Sequence, residues 1–132
     1  MEKHNTDIGA ELLFLLRQQR YLYHQLKILT DRQQQLAGTT SPELLLELIS
    51  GRRKLVEKLR ELEDKLRPIK ANWQKLSGRI GPEHKVQAYK TANQVQEIIG
   101  EILRAVPSET AQNLRLNENC RFDELFAEAQ FQ

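Results

Sequence analysis

Leu44-Leu45-Leu46-Glu47-Leu48-Ile49-Ser50-Gly51-Arg52-Arg53-Lys54-Leu55-Val56-Glu57-Lys58-Leu59-Arg60-Glu61-Leu62-Glu63-Asp64-Lys65-Leu66 decides how this chain folds. Residues 45, 48, 52, 55, 59, 62 and 66, continued by Ile69, Trp73 and Leu76, alternate steps of three and four and are apolar except at Arg52. That spacing is the mark of helices packed side by side along a seam. Ser41, Pro42 and Glu43 precede it as N-cap, N1 proline and first-turn acid, so a helix begins at 42.

The same spacing recurs on both sides. Upstream it runs through Ile8, Leu12, Leu15, Gln19, Leu22, Leu26, Leu29, Gln33 and Leu36; downstream through Ala88, Ala92, Val95, Ile99, Ile102 and Val106. The sequence therefore predicts an all-α protein, an antiparallel three-helix bundle with helices at about 7–37, 42–76 and 82–105. Asn5 or Thr6 is the expected first N-cap and Gly38 the stop; Gly81-Pro82-Glu83 repeats the start signal, and Pro107 closes the third helix. Pro68 lies inside the second helix, and because the seam stays in phase across it, one kinked helix is expected there. Gly51 reads as a tolerated surface glycine or as a soft point beside Arg52.

Short loops make sequential helices antiparallel, so facing residues have numbers that add to a constant. A constant of 81 matches the first two seams, setting Leu29 opposite Arg52 and Ile8 opposite Trp73. A constant of 161 matches the second and third, setting Trp73 opposite Ala88 and Leu55 opposite Val106. Large residues then meet small ones at Trp73 with Ala88 and Ile69 with Ala92, which fills those layers. The third helix is expected to stop at the layer of Leu26, Leu55 and Val106. Past it Leu29, Leu36, Leu44, Leu45, Leu48 and Ile49 would stand uncovered, an apolar patch of the kind that marks interaction sites.

Two parts are expected: a helical bundle over 1–107 and a mobile tail over 108–132. The tail's Phe122, Leu125, Phe126 and Ala129 form one amphipathic stripe, fit for a short helix near 120–130. That stripe is the expected cover or competitor at the open end, so Phe122, Leu125 and Phe126 join Leu29, Leu36, Leu44, Leu45, Leu48 and Ile49 as candidate residues for binding a partner helix.

Chemistry beyond binding finds little purchase. The chain of 132 residues holds 20 basic and 18 acidic residues, interspersed, the pattern of solvated helix faces. A nucleic-acid footprint needs clustering, and Arg52-Arg53-Lys54 is the sole basic triplet. The longest apolar run, Leu12–Leu16, falls far short of a bilayer, and residues 1–7 carry no secretory pattern, so cytoplasm is expected and no membrane insertion. Cys120 stands alone, excluding an intramolecular disulfide. His4, His24 and His84 have no metal-ligand spacing and no phosphate-cradling glycine loop is present; no enzyme, cofactor or metal is expected. His24-Gln25-Leu26-Lys27 resembles the His-x-Leu-Lys of histidine phosphotransfer domains, but the bulky Ile28 replaces the small residue that follows in that family.

From about Leu12 to Leu103 the layout resembles the FlgN-type flagellar export chaperones, and more loosely the FliT-type ones. The Gln- and Leu-rich first helix, Leu36-Ala37-Gly38, the run Leu44 to Ile49 and the run Arg53 to Glu63 carry the likeness. It implies a small cytoplasmic helical protein of a bacterium. Such a protein holds the amphipathic C-terminal helix of hook-filament junction proteins and hands them to the type III export apparatus. Beside this stand two other readings: a structural coiled-coil adaptor, monomeric or homodimeric, and a phosphotransfer domain centred on His24.

Overall fold

A computed structural model describes residues 7–36 and 41–105. The described chain is all-α, with α1 at Ile8–Gln35, α2 at Pro42–Ala71, α3 at Trp73–Ser77 and α4 at Pro82–Ala105. The expected C-terminal helix near 120–130 and the stop at Gly38 lie outside the described residues.

Local chemistry sets the ends. Asp7, rather than Asn5 or Thr6, caps α1: its carboxylate accepts from the Ala10 N–H at 3.3 Å. This satisfies one of the four donors a helix start leaves orphaned. Ser41 does the same for α2, its Oγ accepting from Leu44 N–H at 3.4 Å, with Pro42 following where no N–H is needed.

The expected kink at Pro68 is a break instead, and it falls at Asn72. The second helix continues through Pro68 to Ala71 and is then interrupted, so Trp73–Ser77 forms a helix of its own. The Pro68 carbonyl accepts both from the Asn72 backbone N–H at 3.1 Å and from Asn72 Nδ2 at 2.9 Å. An Asn side chain that competes for a helical carbonyl in this way favours the end of a helix over its interior. Ile69 and Trp73 are both buried across the break, so the apolar seam survives although the backbone ladder does not.

Helix α1 is the centre of the fold and packs closely on both α2 and α4. Its contacts with α4 run parallel. His84 lies over Gly9, and Arg20 Nη1 donates to Gln94 Oε1, each joining an α1 residue to one 74 or 75 positions later. Its contacts with α2 are antiparallel, with Leu29 over Gly51 and Arg52 Nη1 donating to Gln33 Oε1. The antiparallel direction is the expected one, but Arg52 bonds Gln33, one turn beyond its expected partner Leu29, whose place opposite is taken by Gly51.

A central helix needs two apolar stripes. Leu12, Leu15, Leu22 and Leu26 belong to the expected seam; Leu13, Leu16 and Tyr23 form a second one and are equally buried. One core joins these residues, Leu13 apart, to Leu59, Leu62, Leu66, Ile69 and Trp73 and to Ala88, Ala92, Val95, Ile99 and Ile102, with Ile80 closing it from the loop before α4. At roughly 25 cal/mol per Å² of apolar surface removed from water, this burial is the main force holding the helices together. Thr30 and Thr91 are buried too, and each hydroxyl donates to the carbonyl four residues earlier, Leu26 at 2.9 Å and Gln87 at 2.8 Å.

Two close approaches rest on glycine. A Cβ at Gly9 would meet His84 Nδ1 at 2.8 Å and His84 Cβ at 3.0 Å, so α1 and α4 meet there only because no side chain intervenes. At Gly51 a Cβ would stand 3.2 Å from Leu29 Cδ1. Gly51 is thus not a surface glycine but the seat of Leu29.

Candidate functional site: the hairpin end

The α1–α4 register corrects the length of the third wall. With α1 residues facing α4 residues 74 or 75 positions later, the end of α4 at Ala105 stands beside Thr30 and Asp31, not beside Leu26. Thr30 is accordingly buried, and Leu29 is half-buried against Gly51. Leu29 therefore belongs to the closed part of the bundle. The difference arises because the seam rule counts layers through α2, whereas α4 takes its height from its own packing on α1.

Above that level lies the hairpin formed by the last turn of α1 and the first two turns of α2. Leu36, Leu45 and Leu48 are half-buried there. Leu44 and Ile49 flank them and are exposed, at 46% and 37%, and Leu46 on the outer side is 65% exposed. Between Leu44 and Ile49 only Glu47 is polar. A helix apolar on every side is ordinarily buried on every side. Here the described residues cover only one side of it. Of the expected binding residues, Leu36, Leu44, Leu45, Leu48 and Ile49 lie at this end, together with Leu46, which sits off the seam and is absent from the expected set. Phe122, Leu125 and Phe126 lie outside the described residues.

The floor of this end is polar. Arg52 and Gln33 are joined by their hydrogen bond, and burial lowers the pKa of the Arg52 guanidinium. A single polar layer in a helical seam fixes register at some cost in stability. Below it Lys27 Nζ bonds Asp31 Oδ2 at 2.9 Å on the α1 surface, and this hydrogen bond, with the charge of Asp31, raises the pKa of Lys27. His24, one turn further down, is exposed.

The opposite end of the bundle holds a shallow groove lined by Leu13, Arg17, Pro82, Glu83, His84 and Val86. No residue expected to bind a partner lies in it. Among the described residues no three of His, Cys, Asp and Glu gather as a metal site would require, and no helix is long and apolar enough to cross a membrane. What the described residues of the hairpin end offer is an apolar surface.

Compared with known proteins, the chain matches no family model, no curated protein and no solved structure. The likeness to flagellar export chaperones therefore stands on the residues quoted above.

Proposed function

We propose that the protein is a non-catalytic export chaperone whose hairpin end receives an amphipathic helix of a client protein. The observation that carries this reading is the exposure of Leu44, Leu46 and Ile49 beside half-buried Leu36, Leu45 and Leu48. A helix laid along this end, with apolar residues at i, i+3, i+4 and i+7, would bury those leucines and add the wall that α4 does not supply there. The resemblance to FlgN-type chaperones names the client as the C-terminal helix of a hook-filament junction protein, the destination as the type III export apparatus and the compartment as the cytoplasm.

Affinity in this scheme comes from a few central apolar anchors, not from charge. Calorimetric titration of the full chain with a peptide of that client helix tests it. Leu48→Asp and Leu46→Asp should each weaken binding about 30-fold or more, the effect of losing an anchor worth about 2 kcal/mol. Leu46 is the more telling position, since its exposure separates loss of binding from loss of fold. Both variants binding as tightly as the parent chain would refute the reading. The same leucines would serve a structural adaptor as a homodimer seam. Light scattering that gives a dimer, dissociated by Leu46→Asp, would replace the chaperone reading with that one.

A further inference from the structure

The face of α1 turned away from the core is not the charged surface an outer helix face ordinarily presents. Phe14 and Tyr21 are each 60% exposed, and Ile28, half-buried, follows at the same seven-residue step. Residues at i, i+7 and i+14 lie one above another on a helix. Arg17, Gln18 and His24 flank this stripe and are exposed. From Leu12 to Thr30 the charged residues of α1 are Arg17, Arg20 and Lys27, with no Asp or Glu among them. Lys27 is paired with Asp31 and Arg20 is bonded to Gln94, and Glu11 precedes the stripe, so the outer face of α1 is an aromatic stripe with the exposed cation Arg17 beside it.

The complement of that face is in the same chain. Residues 122–132, Phe-Asp-Glu-Leu-Phe-Ala-Glu-Ala-Gln-Phe-Gln, carry Asp123, Glu124 and Glu128 and no Lys or Arg. Phe122, Leu125, Phe126 and Ala129 fall at i, i+3, i+4 and i+7, one helical stripe with the acids beside it. We propose that this acidic segment docks on the outer face of α1, over Phe14 and Tyr21, and not on the hairpin end.

Reach and charge both favour this occupant. Helix α4 ends beside Thr30 and Asp31 of α1, and 27 residues follow Ala105. Returning from the level of Thr30 to that of Tyr21 and Phe14 takes roughly 14 to 24 Å at 1.5 Å per helical residue. Ser108–Arg121 spans about 21 Å if helical and more if extended. At the hairpin end, by contrast, the charges standing among the exposed leucines are Glu43 and Glu47, with Arg53 and Lys54 a turn beyond them, so the nearest charges there would repel Asp123, Glu124 and Glu128. A second copy of the chain would bring Arg17 of one α1 towards the like charge of another. The proposal is independent of the chaperone reading, and it leaves the hairpin end open to a partner.

Cys120, the one cysteine of the chain, stands two residues before the docking stripe and accepts a nitroxide label without any substitution. Paramagnetic broadening of backbone amide signals is then measured on the labelled full chain at several protein concentrations and at low and high salt. The expected result is broadening centred on residues 14–21, unchanged by dilution and reduced by salt, which screens charge pairs on the surface. Arg17→Glu should reduce it severalfold, and adding Glu124→Lys and Glu128→Lys to that variant should restore it. Broadening centred on residues 44–49, broadening lost on dilution, or no broadening of α1 would each overturn the proposal. The first would place the segment on the hairpin end and the second on another copy.

Discussion

Replacing glycine by alanine at three helical positions should give three different answers, and the spread follows from what each new methyl meets. In a helix interior the change stabilises by about 0.8–1.0 kcal/mol, because alanine loses less backbone entropy on folding. At Gly100 the nearest atom to the added Cβ is Arg104 Nη1 at 3.8 Å, an ordinary contact with the end of a flexible side chain, so the full gain should appear. For a chain of this size that is a rise in Tm of roughly 3–5 °C. At Gly51 the Cβ stands 3.2 Å from Leu29 Cδ1, which can give by a few tenths of an ångström, and the net change should be near zero. At Gly9 the same methyl falls 2.8 Å from His84 Nδ1 and 3.0 Å from His84 Cβ. Turning the imidazole relieves the first contact but not the second, because the Cβ is fixed to the α4 backbone. Overpacking of that kind costs about 1–3 kcal/mol, which exceeds the helical gain, so Gly9→Ala should lower stability by about 0.5–2 kcal/mol. Urea unfolding followed by far-ultraviolet circular dichroism gives all three values on one scale. A Gly9→Ala protein as stabilised as Gly100→Ala would refute the parallel, glycine-mediated contact of α1 with α4 and with it the height at which α4 ends.

Other outcomes follow from the polar groups. Lys70 Nζ and Glu63 Oε2 form a 2.7 Å ion pair within α2, both side chains largely buried, and Glu63 Oε1 has no hydrogen-bond partner among the described residues. Lys70→Met should therefore destabilise by about 3–5 kcal/mol in equilibrium unfolding, by leaving a buried carboxylate unpaired, while Lys70→Met with Glu63→Leu recovers most of the loss. A single variant costing under about 1 kcal/mol would mean that the pair is solvated. The Lys27 pKa is raised, first by its hydrogen bond to Asp31 and then by the charge of Asp31. Its folded value lies above its unfolded one, so its contribution is complete below the ordinary lysine range and is lost as pH rises through the folded value. Asp31→Asn should return the Lys27 titration, followed by nitrogen NMR, to that ordinary range; an unchanged titration would remove the ion pair.

How far the site could be read from sequence depended on which neighbour each residue serves. The leucines at 36, 45 and 48 keep strict heptad positions, and a residue in phase with a seam is half-buried wherever that seam has a partner. Leu46 breaks phase, so periodicity is blind to it; the clue was the unbroken apolar run from Leu44 to Leu46. Leu13, Leu16 and Tyr23 went unread for the opposite reason. One stripe accounts for one neighbour, and α1 has two. Lys70 is buried off the seam, and because charge is ordinarily solvated, only its pairing with Glu63 two turns earlier lets it be buried.

The sequence alone determined that the chain is helical, where α2 and α4 begin, and that α2 returns antiparallel to α1. Those are local matters, set by period, by Ser41-Pro42-Glu43 and Gly81-Pro82-Glu83, and by a short connection that permits one direction of return. Tertiary structure decided what depends on distances between helices. Gly9 lets α4 rest directly on α1, that contact sets how high α4 reaches, and its height leaves Leu36, Leu44, Leu45, Leu46, Leu48 and Ile49 beyond the third wall. Heptad spacing repeats identically along a helix and so fixes which faces meet; only packing of particular side chains selects the offset at which they meet.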